Sequence, residues 1–277
     1  MPGVFNGIAA RLATAAGFDA LYVSGAGLSN AAGVPDIGLL LSDEWVRQVG
    51  HICHATPLPV VADVDTGFGG PSNAARLVRD LERIDLAGLH VEDQVFPKRC
   101  GHLAGKAIVP VEEMTAKLAA MREAKSDDFL LIARTDARAV EGFDAAVDRA
   151  GQYLEAGADG IFPEAMADKS EFERFAKAFP SLPLLANMTE FGKGPLLTVE
   201  ELGGLGYSMV IFPQSAFRIA NKAMLDALRH LKQHGTQADL LDRMQTRQEL
   251  YDLLDYDPNQ DVWRPNERPD PNLSSRP

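Results

Sequence analysis

Cysteine is scarce in this chain: Cys53 and Cys100 are the two among 277 residues. Two cysteines make no disulfide framework, so the sequence reads as that of a protein kept in a reducing compartment, with the cytoplasm as the expected location. Long apolar runs are missing as well. No stretch of 18 or more consecutive apolar residues occurs, which excludes a helical membrane span. The opening MPGVFNG has neither the charged nor the apolar region of a secretory signal. Positive charge is in deficit, with 27 Lys and Arg against 39 Asp and Glu and a net charge of −12. A nucleic-acid binder shows a basic face, and none is visible. Neither nucleic acid nor membrane is therefore expected as a partner, and the acidic balance speaks for solubility rather than for a substrate.

What the chain has in quantity is alternation. Apolar, β-branched runs recur at ALYVSG (20–25), PVVADVD (59–65), GLHVED (88–93), LLIARTD (130–136), GIFPEA (160–165), PLLANMT (183–189) and MVIFP (209–213). A shorter candidate, PGVF, opens the chain at Pro2. Amphipathic stretches with helical spacing, such as NAARLVRDLERI and AAVDRAGQYLEA, lie between most of them. Near-continuous apolar strands alternating with helices argue for a parallel sheet. Eight units argue for an α/β fold closed as a (β/α)8 TIM barrel, for which the length is suitable. An open doubly wound sheet would want a glycine-rich phosphate loop after the first strand, and SGAGLSN matches G-x-G-x-x-G poorly. After residue 214 the sequence reads as helical. From Asp257 to Pro277 five of 21 residues are proline and few are apolar. The expected organisation is one barrel domain with C-terminal helices over 1–256 and a Pro-rich irregular tail over 257–277.

Side chains alternate across a strand with period two. At the C-terminal ends of the runs this places Tyr22 with Ser24, Asp63 with Asp65, His90 with Glu92, Arg134 with Asp136, Phe162 with Glu164, and Asn187 with Thr189 on shared faces. Val23, Val64, Val91 and Ile161 take the other face. One polar strand end could simply reach solvent; six on successive strands point to a set converging in the barrel mouth, where barrel enzymes act. Asp63, Asp65, Glu92, Asp136 and Glu164 would crowd a small volume, and like charges so close resist joint ionisation. A divalent cation, or an ion-pair network with Arg134 and Arg218, would relieve the crowding. All-oxygen ligands favour Mg²⁺, with Mn²⁺ as a possible substitute, over Zn²⁺. Other barrel chemistries fail by absence. A Schiff-base aldolase needs an interior lysine, and no strand run holds one. A zinc aldolase wants a histidine cluster, and only His90 lies in a strand. No G-x-S-x-G elbow of a serine hydrolase occurs.

Cys100 sits in KRCGH, in the loop after GLHVED, hence at the same mouth. Lys98, Arg99 and His102 favour its thiolate, so the thiol can serve as nucleophile or general acid. Gly101 and Gly105 give the loop freedom to fold over the site. An incidental surface cysteine is the plain alternative. Cys53, among apolar neighbours at helical spacing, reads as a buried small hydrophobe.

These residues carry a resemblance. YVSGAG, VPDIG, ADVDTGFG, GLHVEDQ, KRCGH, ARTDA, FPEA, NMTEFG, SAFR and MQTRQELY occur in an order similar to that of the isocitrate lyase / phosphoenolpyruvate mutase superfamily. The resemblance implies a barrel whose last helix is exchanged between subunits of a homotetramer. It also implies Mg²⁺ held by Asp63 and Asp65, with Asp36 and Glu92 in its outer shell. Ser24, Gly25, Ala26, Gly101, Arg134, Glu164, Asn187, Met188, Thr189, Arg218 and Arg247 would bind substrate. Cys100 would be the general acid with His102 beside it, and Tyr22 a candidate base for the substrate hydroxyl. The implied substrate is a small di- or tricarboxylate, and the implied reaction a retro-Claisen cleavage of 2-methylisocitrate to pyruvate and succinate. Cleavage of isocitrate or 2,3-dimethylmalate, hydrolysis of oxaloacetate, and a non-catalytic barrel are the alternatives. True isocitrate lyases carry inserted helical material for which this chain has no room.

Overall fold

The apolar runs form strands where expected, each followed by a helix that covers it. β1 (Gly3–Val4), β2 (Leu21–Val23), β3 (Val60–Asp63), β4 (Gly88–Glu92), β5 (Leu130–Thr135) and β6 (Gly160–Pro163) pair in sequence order, all parallel. β7 (Leu185–Asn187) and β8 (Met209–Ile211) pair with each other. Bridges close the ring, Ile161 to Leu184 on one side and Pro2 to Phe212 on the other. Gly3 N donates to Phe212 O at 2.9 Å, and Phe212 N to Met1 O at 3.0 Å. The result is the closed (β/α)8 barrel anticipated from the alternation. The computed structural model describes residues 1–99, 105–192, 194–260 and 262–263. Cys100, Gly101 and His102, expected at the site, lie outside the described residues.

Helices α1 (Gly7–Ala15), α2 (Gly25–Ala31), α3 (Ser42–Cys53), α4 (Pro71–Glu82), α5 (Val111–Ala124), α6 (Ala137–Val140), α7 (Phe143–Glu155), α8 (Lys169–Ala178), α9 (Val199–Leu205) and α10 (Ser215–His234) follow in order. α2 and α6 are short additions directly after β2 and β5. α4 shows why these stretches are helical. Proline takes its first turn, where no amide donor is needed, and Ala74, Leu77, Val78 and Leu81 are buried at helical spacing. α3 buries Trp45, Val49, Ile52 and Cys53 in the same way. Cys53 is thus the buried hydrophobe expected, its thiol pushed up to about 12 by burial and then by Asp85.

Two cores result. Val23, Ala62, Val64, Val91, Ala133 and Ile161 point outward into the layer between strands and helices. Tyr22, Val61, Ile132, Phe162, Leu185 and Ile211 point inward and fill the barrel. The mouth residues lie one pleat repeat beyond this inner layer.

α10 buries none of its residues within the single chain, and Ile219, Met224 and Leu228 are 71%, 60% and 56% exposed. A glycine, Gly235, ends it in the left-handed conformation. A 3₁₀ turn and α11 (Arg247–Leu253) bring the chain back to α1, where Arg11 Nη1 donates to Leu253 O at 3.0 Å and meets Asp255 at 2.8 Å. The segment expected to be irregular begins with regular pairing: β9 (Tyr256–Asp257) and β10 (Val262–Trp263) form a small antiparallel ribbon. Proline lies in the turn between them, where the ladder asks no donor of it.

Candidate active site

β3 and the turn after it build the acidic centre. Asp63 ends the strand with its side chain inward, Val64 turns outward, and Asp65 returns inward with a φ of 48°. Few residues other than glycine tolerate that region, and aspartate is among them. Asp65 N donates to Asp63 Oδ1 at 2.9 Å, and Gly25 N, at the start of α2, to Asp63 Oδ2 at 3.2 Å. Trp45 Nε1 fixes the Asp63 carbonyl at 2.8 Å. Both carboxylates are 5% exposed. Their environments push them apart. Burial works to raise Asp63, but His90, Lys98 and Arg134 outweigh it and hold it below its ordinary range. Burial, with Asp63 and Asp36 nearby, raises Asp65 to about 7 against the pull of Lys98.

Two buried cations organise the remaining acids. Lys98 Nζ lies 2.7 Å from Asp65 Oδ1 and forms a second, closer pair with Asp36. Arg134 stands among three carboxylates: Asp136 at 2.9 Å, Glu92 at 3.2 Å and Glu164 at 3.4 Å. Burial works to lower both; the surrounding carboxylates instead hold both well above their ordinary values. Glu92 is raised well above the usual carboxylate range by burial, with Asp136 and Asp63 adding to it.

Beneath this layer Tyr22 and His90 form a pair between strands that are not neighbours. Tyr22 Oη lies 2.8 Å from His90 Nε2, and His90 Nδ1 is 3.8 Å from Asp63 Oδ1. Burial lowers His90 to about 4, so its ring is neutral near pH 7. Burial, followed by Asp63, raises the Tyr22 phenol well above its ordinary value. Tyr22, the candidate base, is thus a protonated phenol rather than a phenolate. It can take a proton only while passing its own to His90.

Most of the other expected residues gather at the same mouth. Ser24 is buried, and Gln214 Nε2 donates to its Oγ at 3.3 Å, leaving the hydroxyl proton to serve another acceptor. Gly25 and Ala26 open α2 beside it. Asn187 Nδ2 donates to Glu164 Oε2 at 3.2 Å, and Thr189 lines the same small cleft. The Met188 side chain does not join them at the mouth. Period two turns it away from Asn187 and Thr189 into the outer core, where its sulfur accepts from Leu197 N at 3.2 Å, so its side chain is not presented to substrate. Arg218 is at the rim, 49% exposed, 3.6 Å from Glu190 and over the Phe191 ring. Arg247 is exposed at the start of α11, which packs on α1 outside the barrel, so in the single chain it stands apart from the mouth. A cavity of about 630 Å³ lies between α3 and α4, lined by residues such as Val46, Arg47, His51 and Leu77, and contains none of the mouth acids.

Sequence reasoning overlooked three partnerships. Lys98 was read only as a neighbour of Cys100, yet it reaches Asp65 and Asp36. Lys106, just after Gly105, pairs with Asp136. The alternation puts His90 in the mouth set but does not reveal Tyr22 as its partner. Its inward register beside Tyr22 was the available signal; a loop lysine such as Lys106 offered none.

The donor set fits a hard divalent cation. Glu92 Oε1 is buried without a hydrogen bond. A Cβ on Gly25 would stand 2.7 Å from Asp63 Oδ2 and 3.0 Å from Asp65 Oδ1, so glycine there keeps space open against both carboxylates. Among the described residues no group of three or more potential ligands is drawn together. Two direct carboxylates, with water and substrate supplying the rest, is the pattern of Mg²⁺ rather than of Zn²⁺.

A closed parallel barrel with buried acids and bases at the C-terminal ends of its strands is the framework of a barrel enzyme. The phosphoenolpyruvate phosphomutase family model matches residues 1–232, and the chain belongs to that family. It is 49% identical to a 2-methylisocitrate lyase of Aeropyrum pernix, over 92% of this chain and 82% of the relative. A crystal structure of 2,3-dimethylmalate lyase superposes with a TM-score of 0.87 at 37% identity, covering 91% of this chain and 85% of that one. One of phosphonopyruvate hydrolase in complex with oxalate and Mg²⁺ gives 0.82 at 30% identity, covering 91% and 88%.

Proposed function

We propose that the chain is a magnesium-dependent carbon–carbon lyase that cleaves 2-methylisocitrate to pyruvate and succinate. The observation that carries this reading is the 49% identity to a 2-methylisocitrate lyase over nearly the whole chain. The buried set Asp63, Asp65, Glu92, Arg134 and Glu164 supplies suitable chemistry. The place of such a reaction is the breakdown of propionate through methylcitrate.

The reaction removes the proton of the substrate hydroxyl. The oxygen electron pair then forms the keto group of pyruvate, and the pair of the broken C–C bond stays on the carbon that becomes succinate. Asp63 and Asp65 would hold Mg²⁺, or Mn²⁺ in its place, which when bound lowers the cost of removing that proton. Tyr22 takes the hydroxyl proton as it gives its own to His90 Nε2. His90 is neutral beforehand, and Asp63, 3.8 Å from its other nitrogen, favours the imidazolium formed. Arg134, Asn187 and the Ser24 hydroxyl present donors to substrate carboxylates and to the charge that develops on cleavage. Glu164 aligns Asn187 and Arg134. Cys100 delivers the proton to carbon, with Gly101 and His102 beside it, as the KRCGH motif implies.

The chain carries the barrel domain over 1–256, and we propose a cytoplasmic homotetramer. Ile219, Met224 and Leu228 on α10 leave an apolar face uncovered in one chain, and a partner's barrel would cover it. A monomeric mass by light scattering at micromolar concentration would contradict that assembly. The activity is tested by comparing kcat/KM for 2-methylisocitrate, isocitrate, 2,3-dimethylmalate and oxaloacetate with Mg²⁺, following keto-acid release, or loss of substrate for oxaloacetate. Preference for 2-methylisocitrate is expected. Preference for 2,3-dimethylmalate, the substrate in the name of the protein that superposes at 0.87, would overturn the assignment.

A further inference from the structure

Arg134 faces a difficulty as a substrate-binding group. Three buried carboxylates already surround it: Asp136, Glu92 and Glu164, all within 3.4 Å. Asp136 engages it most fully, accepting from Nε at 2.9 Å and from Nη2 at 3.3 Å. An arginine so neutralised has little attraction left for a substrate carboxylate. The backbone that carries Asp136 is held in place, its amide donating to Asp93 Oδ1 at 2.8 Å. Asp93 in turn is held by Thr135 Oγ1 and Tyr153 Oη, each at 2.8 Å.

Lys106 answers this difficulty. Its ammonium pairs with Asp136 Oδ1, and its side chain is 2% exposed against 0% for Asp136. The backbone around it is tied down, since Val95 N donates to Ala107 O at 2.8 Å and Gln94 bridges to Ile108. Lys106 therefore offsets one of the three carboxylates and raises the net charge of the cluster around Arg134 by one unit. We propose that Lys106 is a positioning residue: by neutralising Asp136 it leaves the Arg134 charge available to a substrate carboxylate. The inference rests on the lyase reading for what Arg134 binds.

The test uses the full-length protein in Mg²⁺ buffer and two readouts, the dissociation constant of succinate by calorimetry and KM for 2-methylisocitrate. Lys106→Met removes the charge and keeps the length. It should weaken succinate and raise KM about tenfold, the order expected of a unit charge acting over roughly 8 Å at an effective dielectric of about 30. Lys106→Arg, which restores the charge, should bind succinate within a few-fold of wild type. The decisive variant is Lys106→Met with Asp136→Asn, which deletes the stranded carboxylate as well. It should bind succinate better than Lys106→Met alone, whereas a purely structural role predicts further damage. Lys106→Gln replaces Lys106→Met if the latter does not fold, with the same expectation. A single variant that binds succinate like wild type, or a double variant no better than the single, overturns the proposal. Failure of the wild type to cleave 2-methylisocitrate, with this binding pattern intact, would instead count against the lyase reading alone.

Discussion

The barrel interior has two layers built on the same strands, and they differ in every physical respect. Val61, Ile132, Phe162 and Leu185 form the lower one, apolar and close-packed. Two residues on, roughly 6.6 Å along each strand, stand Asp63, Arg134, Glu164 and Asn187, polar or charged and held by ion pairs. The lower layer stabilises by leaving water. The upper one crowds like charges that burial penalises, and Asp65 sits in a backbone conformation most side chains avoid. Stability resides in the first and the chemistry proposed above in the second, the division expected where an active site trades stability for function.

Substitutions in one layer should accordingly leave the property of the other intact. The largest effect is expected at Asp65. Asp65→Ala should abolish Mg²⁺-dependent turnover without unfolding the chain, because it removes a carboxylate that burial and its neighbours already disfavour. Wild-type turnover by this variant with chelator present would remove the metal role. Next comes Cys100→Ser. A hydroxyl is a far weaker acid than a thiol, so kcat should fall by about 10²–10⁴ with KM little changed, the usual span for a lost general acid. An incidental surface cysteine would make the exchange silent, and steady-state kinetics separates the two.

In the lower layer, Leu185→Ala should cost about 2–5 kcal/mol of stability through lost burial and the cavity left behind. Mg²⁺ affinity should stay within a few-fold of wild type below the melting temperature. Melting curves and calorimetry on one sample check both halves; a strong loss of Mg²⁺ binding would show that the layers are not separable. The smallest effect concerns pH. With its folded value raised to about 7 from an ordinary 3.8, Asp65 keeps a proton in the metal-free fold that the unfolded chain has lost. Its contribution to metal-free stability is thus present at low pH and lost as pH rises through about 7. Mg²⁺ must displace that proton, so its affinity should climb by up to about tenfold per pH unit below 7 and level off above. Calorimetry in buffers of different ionisation heat measures the proton released; a flat profile between pH 5.5 and 8 would contradict the assignment. His90 acts in the opposite sense. Lowered to about 4 from 6.5, it costs stability as pH falls through that interval.

Both layers were legible in the sequence because a strand repeats every two residues, so an apolar residue two before an acid already marks the lining and the mouth. The barrel followed from the number of strand–helix units. Contacts set by loops were not legible. Nothing in a lysine after Gly105 says that it reaches Asp136, nor does KRCGH say that Lys98 reaches back to Asp36 in a different loop. Tyr22 and His90 meet across strands separated by β3, and that depends on barrel curvature. Met188 was misplaced because a resemblance was followed where the strand period already pointed it outward. The ribbon at 256–263 escaped because a two-residue strand carries no periodicity. Arg247 opens α11, which packs on α1, and helical spacing alone could not show where α11 packs.

The central claim is that the charged layer breaks a carbon–carbon bond and leaves a carbanion that the chain then protonates. Its most direct test is to incubate the protein with Mg²⁺ and 2-methylisocitrate in D₂O and to follow the products by NMR. Equal amounts of pyruvate and succinate are expected, with one solvent deuterium at carbon in each succinate as formed. No cleavage, or succinate formed without solvent hydrogen, would contradict the account.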